Sequence, residues 1–228
     1  MTFAKPEDIR AVLFDAYGTL FDLGAMIDVC RNGAGDKAPA LLDLWRRKQL
    51  EYSWLRSLMG RFQDFWHVTG EALDYALETH GLKNPAFRAS LMQLWLRPKA
   101  YDDAAGCLQR ITASGRKTAI LSNGSKTMLT AGVKSADLYD LLDVRLSVDN
   151  LGIYKPHPSV YEMAANALDL PPKQIAMVSA NGWDVAGAAF FGFHAIWVNR
   201  QGIQPERLPA GPDHVVSGLT DIPPLLGL

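Results

Sequence analysis

The sequence predicts an α/β fold, with a parallel sheet covered by helices on both faces and a helical segment inserted into it. Three observations carry this. Short apolar runs recur, each run is followed by a turn and a helical pattern, and one interval between runs is much longer than the rest. The runs are Ala11–Phe14, Thr118–Leu121, Val144–Val148, Ile175–Val178 and Ala195–Val198. Near-continuous apolar strands belong to sheets buried on both faces, and their alternation with helices makes neighbouring strands parallel. Helices are expected near Asp102–Ser114, Ser125–Lys134, Pro158–Leu168 and Trp183–Phe191. Gly115, Gly132 and Gly192 stand where helices commonly end on glycine.

About a hundred residues separate the first two runs, where a crossover connection needs a dozen or so. Most of that stretch, Leu23 to Lys99, reads as helix. Leu41, Trp45, Tyr52, Leu55 and Met59 recur on one side at helical spacing, and Arg46, Leu50 and Trp54 step by four along another. A helix apolar on two faces is buried on two faces, as in a cap that also packs over something else. The expected division is a core domain of residues 1–22 and 100–228 and an inserted helical cap subdomain of residues 23–99. There is no internal repeat, low-complexity tract or Pro/Ser linker.

Composition excludes several partners. The chain of 228 residues is 48% hydrophobic, with 23 basic and 24 acidic residues and a net charge of −1. A nucleic-acid-binding surface needs a basic stripe, and Arg46-Arg47-Lys48 is too short for one. No apolar run reaches the length of a membrane span, and the N-terminus MTFAKPEDIR is mixed and charged, without the apolar core of a signal peptide. Cys30 and Cys107 make no disulfide framework, so the expectation is a reduced, cytoplasmic protein.

In an open parallel sheet, ligands bind beyond the carboxyl ends of the strands. Four polar clusters fall there: Asp15, then Ser122-Asn123-Gly124, then Tyr154-Lys155-Pro156, then Ser179 to Asp184. One strand-end acid alone is most simply a helix cap or a surface charge. Four clusters at four strand ends point instead to one shared pocket. Asp15, next to the Gly18 turn, can turn a carboxylate oxygen into the crevice as a nucleophile while Thr19 fixes its rotamer. Ser122 and Asn123 offer a hydroxyl and an amide, and Gly124 permits close approach of backbone to ligand. Lys155, set between an aromatic and a proline, brings a cation to a strand end. His67, His80, His157, His194 and His214 show no ligand spacing and read as surface or packing residues.

FDAYGTLFD, LSNGS, YKPHPSVY and VSANGWDVAGA, in that order and spacing, resemble the four motifs of the haloacid dehalogenase superfamily. Within it the chain is most similar to the L-2-haloacid dehalogenases (type II), and LWRRKQLEYSWLRSLMGRF resembles that subfamily's cap. The resemblance spans nearly the whole chain and implies a Rossmann-like core, with a small 2-haloacid and water as the partners. Asp15 would attack C2 of a short 2-haloalkanoate from behind the carbon–halogen bond. Ser122, Lys155 and backbone amides after Asp15 would hold the substrate carboxylate. Arg46, Asn123 and Phe65 would surround the departing halide, and Tyr17, Leu50 and Trp183 would shape the walls. Water would open the aspartyl ester with help from Ser179, Asn181, Asp184 and Lys155. Tyr161 also matches the family, although an aromatic there serves equally well as core. Relatives are often homodimers. The aromatic region of Trp54, Phe62 and Trp66 fits such a contact, and core packing explains it equally well.

Two positions choose between the superfamily's chemistries. Its phosphatases have a second Asp two residues after the nucleophile, where this chain has Tyr17, and a DxxxD magnesium pair, where this chain has Ala180 and Asp184. Losing a carboxylate from an octahedral oxygen cage removes much of the affinity for magnesium, so neither a metal nor another cofactor is expected. The enzyme alternative is a small-molecule phosphatase with a displaced metal site. A third reading, a catalytically silent binding protein, leaves the intact set Asp15, Thr19, Arg46, Ser122, Lys155 and Asp184, with its matched charges, without a purpose. Two departures stand out: Arg47 where close relatives are expected to carry a neutral Gln, and Ala180 where a Ser is common.

Overall fold

The computed structural model describes residues 6–24 and 26–228. The first five residues, part of the charged N-terminus noted above, lie outside the described residues. Strand β1 (Ala11–Phe14) is wholly buried and forms the centre of a parallel sheet. The other strands are β4 (Lys117–Ser122), β5 (Val144–Ser147), β6 (Ile175–Ser179), β7 (His194–Val198) and β8 (His214–Val216), in the order β5-β4-β1-β6-β7-β8. Helices α5 (Ala104–Ala113), α6 (Lys126–Ser135), α7 (Pro158–Leu168) and α8 (Gly182–Phe191) connect the strands, and a short α9 (Ile222–Leu225) closes the chain. Helices α6, α7 and α8 make the crossovers between β4 and β5, β5 and β6, and β6 and β7. The runs at β1, β4, β6 and β7 became buried strands, while β5, at the sheet edge, is only partly buried.

Strand order reverses at β1, which opens a crevice beyond its carboxyl end. Register levels three strand ends there: Phe14 pairs with Ile120 of β4 and with Val178 of β6. Asp15 therefore leaves the sheet beside the ends of β4 and β6, where Ser122 and Ser179 stand.

Helices α1 (Met26–Ala34), α2 (Ala38–Met59), α3 (Phe65–Thr79) and α4 (Pro85–Leu94) fill the long interval. The chain leaves and re-enters the core through two tiny antiparallel strands, β2 (Phe21–Asp22) and β3 (Lys99–Ala100). Helix α2 ends on Gly60, whose left-handed backbone turns the chain, and Asp64 caps α3 by accepting from the amides of Trp66 and His67.

Two expectations need correction. Gly115 and Gly192 do sit past helix ends with positive φ, at 80° and 108°. Gly132, however, lies inside α6 and is buried; a Cβ there would come within 2.9 Å of the Phe21 ring, so this glycine serves close packing. The buried side of α2 runs Leu41, Trp45, Gln49, Ser53, whereas Leu55 and Met59 are 43% and 64% exposed. The stripe steps by four throughout, and two of its members are polar, which hid it from an apolar pattern.

Candidate active site

Asp15, the residue after β1, is almost fully buried and each of its carboxylate oxygens is held. Oδ1 accepts from Lys155 Nζ at 3.2 Å. Oδ2 accepts from the Thr19 hydroxyl and the Asn181 amide, both at 2.9 Å. Thr19 is fixed in turn, because its oxygen accepts from the Ala180 amide at 2.9 Å. This one hydroxyl ties the loop after β1 to the loop after β6.

Lys155 is completely buried and also donates to Asp184 Oδ2 at 2.8 Å. Its backbone amide donates to Asn123 Oδ1 at 2.9 Å, which anchors the loop after β5 to the end of β4. Burial alone would push the ammonium down, but Asp184 and Asp15 outweigh it and hold the lysine above its ordinary value. Burial pushes the Asp184 carboxyl up, against the opposing pull of Lys155. Tyr161, from α7, donates to Asp184 Oδ1 at 2.8 Å, and burial followed by that neighbouring charge holds its phenol well above the usual range. It is thus both core and second support of Asp184.

Asn181 bridges to the inserted helices. Its side-chain oxygen accepts from Arg46 Nη2 at 3.5 Å, a long contact, while its backbone amide donates to Ser179 Oγ at 3.1 Å. Arg46 stands over the Trp95 ring at 5.8 Å, and burial lowers its pKa, partly offset by the Asp15 charge. Arg47, by contrast, is 63% exposed and faces Asp43 at 3.8 Å, so its charge stays out of the pocket. Asn123 Nδ2 is buried without a partner, a donor free for a ligand. Ser122 Oγ accepts from the Gly124 amide at 3.0 Å, and a Cβ on Gly124 would meet both Ser122 and the Tyr17 ring at 3.1 Å.

The walls are aromatic. Tyr17 is buried, donates to the Trp95 carbonyl at 2.8 Å and packs on the Trp95 ring at 4.8 Å. Its phenol is pushed up by burial and by the Asp15 charge, so it is a neutral wall residue. Phe65 packs against Trp95 and Tyr154 at 6.3 and 5.7 Å, and Trp183 meets Trp54 edge-on at 5.5 Å. Leu50 is half-buried on α2, and its carbonyl accepts from Ser53.

The structure thus joins Asp15, Thr19, Asn123, Lys155, Ser179, Asn181, Asp184, Tyr161 and Arg46 in one hydrogen-bonded network, and sets Ser122 beside it. Sequence reasoning missed Gln49 and Trp95, which contact Arg46, and Thr69, which holds Gln49. The step of four from Leu41 through Trp45 lands on Gln49 and was the signal that could have found it. Among the described residues no group of three or more His, Cys, Asp or Glu side chains could hold a metal ion, and the space between the Asp15 and Asp184 carboxylates is filled by the Lys155 ammonium.

The model of the haloacid dehalogenase-like hydrolases matches residues 9–192. (S)-2-haloacid dehalogenase 1 of Pseudomonas sp. (strain CBS-3) is 43% identical, covering 96% of this chain and 97% of that protein. (S)-2-haloacid dehalogenase 4A of Burkholderia cepacia is also 43% identical, covering 96% of each chain. Among solved structures, the L-2-haloacid dehalogenase of Xanthobacter autotrophicus with chloropropionic acid covalently bound superposes with a TM-score of 0.90 at 40% identity, covering 96% of this chain and 98% of that one. By sequence over nearly its whole length and by fold, the chain belongs to the haloacid dehalogenase-like hydrolases, in the group of the L-2-haloacid dehalogenases.

Proposed function

We propose that this protein hydrolyses short L-2-haloalkanoic acids to D-2-hydroxy acids and halide, through a covalent ester on Asp15. The carrying observation is the Asp15 carboxylate itself, buried and braced by Lys155 on one oxygen and by Thr19 and Asn181 on the other. Asp15 displaces halide from C2 with inversion, and the carbon–oxygen bond forms as the carbon–halogen bond breaks. Whichever oxygen is alkylated, the other becomes the ester carbonyl and keeps at least one donor for the oxyanion that water addition creates. Water then adds at the aspartyl carbonyl and gives a proton to Asp184, with Lys155, Ser179 and Asn181 around it. As the acyl carbon–oxygen bond breaks, the departing alkoxide takes that proton back, and the Asp15 carboxyl left behind releases its own proton to solvent. The hydroxy acid leaves and the carboxylate is regenerated. Ser122, Lys155 and the amides after Asp15 take the substrate carboxylate, and Arg46, Asn123 and Phe65 take the halide. Tyr17, Leu50, Trp183 and Tyr161 shape or support the pocket.

Residues 23–99 act as a cap over the core formed by 1–22 and 100–228. Supporting contacts cross between them: Arg46 to Asn181, Trp54 to Trp183, and the Tyr154 hydroxyl to the Gln63 carbonyl. Such a lid excludes water from the displacement step and strengthens every charge inside.

The reaction needs no metal. A magnesium ion fits poorly here, because Tyr17 and Ala180 stand where the superfamily's phosphatases use carboxylates, and an ammonium already lies 3.2 and 2.8 Å from the two acids. Halide release should continue undiminished in EDTA, gain nothing from added magnesium, and occur without hydrolysis of a generic phosphomonoester. A metal requirement with phosphate release would favour the phosphatase instead.

The protein works as a cytoplasmic homodimer through the outer face of α2 and α3. Leu55, Leu58, Met59 and Tyr75 are exposed there, an apolar patch rimmed by the internal ion pairs Arg56–Glu71 and Asp74–Arg88 and by Glu78, so burying it against a second copy leaves no paired charge to break. Trp54 and Phe62 are occupied inward, on Trp183 and Tyr154. Light scattering should give twice 25.1 kDa, and Leu58→Lys with Met59→Glu should give the monomer; a wild-type monomer would contradict the assignment.

A further inference from the structure

We infer that Gln49, backed by Thr69, is the positioning residue that fixes the Arg46 guanidinium at the halide side of the pocket. This rests on the dehalogenase reading and deepens it. Gln49 lies one turn beyond Arg46 on α2 and is completely buried. Its Oε1 accepts from Arg46 Nη1 at 2.6 Å, and its Nε2 donates to Thr69 Oγ1 at 2.7 Å. Thr69, also completely buried, donates its one hydroxyl proton to the Phe65 carbonyl at 2.5 Å.

The direction of this relay is forced. With its proton committed to Phe65, the Thr69 oxygen is left to accept, so the Gln49 amide must turn its NH₂ to Thr69 and its carbonyl to Arg46. The guanidinium is then held between a fixed carbonyl on one side and the Trp95 face on the other. A neutral acceptor orients the arginine without cancelling its charge, as a carboxylate would. For packing alone, an apolar pair at 49 and 69 would avoid the cost of burying two polar side chains between α2 and α3. The contact that distinguishes this polar pair from such a filler is the one to Arg46.

A guanidinium near the leaving atom stabilises charge that develops as halide departs, so losing its orientation should act on turnover and act most on the poorer leaving group. The test compares wild type, Gln49→Leu, Arg46→Ala and the double variant on L-2-chloropropionate and L-2-bromopropionate under single-turnover and steady-state conditions. Gln49→Leu should lower kcat for the chloro acid about tenfold, the worth of one hydrogen bond to a charged group, with a smaller loss for the bromo acid and KM within about threefold. In the Arg46→Ala background it should cost less than about twofold more. Equal losses in both backgrounds, or equal losses for both halogens, would mark Gln49 as packing and overturn the inference. Unimpaired Gln49→Leu beside an active wild type would do the same, while the dehalogenase reading would stand. A wild type that releases no halide from any 2-haloacid would overturn that reading and this inference with it. Should Gln49→Leu fail to fold, Thr69→Val cuts the far end of the relay, frees the amide to flip, and must show the same halogen-dependent loss.

Discussion

Asp15→Asn should fold and should release no halide above background, a loss of about 10⁴-fold or more in kcat. The substitution keeps the shape of the side chain and removes the nucleophilic oxygen pair. It also reverses a polarity. In the native site all of Asp15's partners are donors: Lys155 on Oδ1, and Thr19 and Asn181 on Oδ2. An amide turns its NH₂ toward at least one of them, and that buried donor–donor contact should cost about 1–3 kcal/mol of stability. Circular dichroism and thermal unfolding read the second effect and a halide electrode reads the first. Slow recovery of activity on storage would report deamidation back to Asp. Turnover by freshly prepared Asp15→Asn at a few per cent of wild type would exclude Asp15 as the attacking group.

Lys155→Met should damage both activity and fold. Its ammonium lies between the Asp15 and Asp184 carboxylates at 3.2 and 2.8 Å, with no exposure to solvent. Without it, two acids face one another in the interior, and removing one partner from a buried ionic group costs about 3–5 kcal/mol. The sign of the pH dependence follows from the raised lysine value. The ammonium's contribution is fully present below the ordinary lysine pKa of about 10.4 and is lost as pH rises through the still higher folded value. Wild type should therefore lose stability above about pH 10 through this group. Lys155→Met should lack that alkaline loss, and should instead grow more stable as pH falls toward the carboxylate range, where one of the facing acids takes a proton. Lys155→Met with Asp184→Leu should recover much of the melting temperature and none of the activity. Recovery of both would show that Lys155 and Asp184 are scaffold only.

The core was legible because its signals are dense. Five apolar runs became five of the six sheet strands, and Asp15, Ser122 and the Ser179–Asp184 segment stand at the ends of β1, β4 and β6 that the register levels. Lys155 is not at a strand end but in the loop beyond the 3-10 turn Val148–Asn150 that follows β5. Strands β2 and β3 escaped notice since two residues carry no period, and β8 because its edge position leaves Val215 56% exposed. On α2 the apolar pattern pointed to Leu55 and Met59, while the true buried stripe continued through Gln49 and Ser53. Hydrophobicity could not find it, because those two side chains are buried by satisfying hydrogen bonds rather than by avoiding water. The cage around Arg46 shares that property, as Trp95 comes from beyond the end of α4, about fifty residues away in sequence. Which way the extra charge of Arg47 points was not legible in the sequence; the geometry turns that side chain toward Asp43 and solvent.

The covalent route is tested most directly by a single turnover in ¹⁸O water, with enzyme in excess over an L-2-haloacid. Attack by Asp15 makes an ester whose hydrolysis at the aspartyl carbonyl puts solvent oxygen into the enzyme's carboxylate. The product then carries the oxygen that Asp15 donated. Mass spectrometry should find the label in the peptide containing Asp15 and none in the first D-2-hydroxy acid formed. Label in that first product with Asp15 unlabelled would mean that water attacked C2 directly, and Asp15 would be a general base rather than the nucleophile.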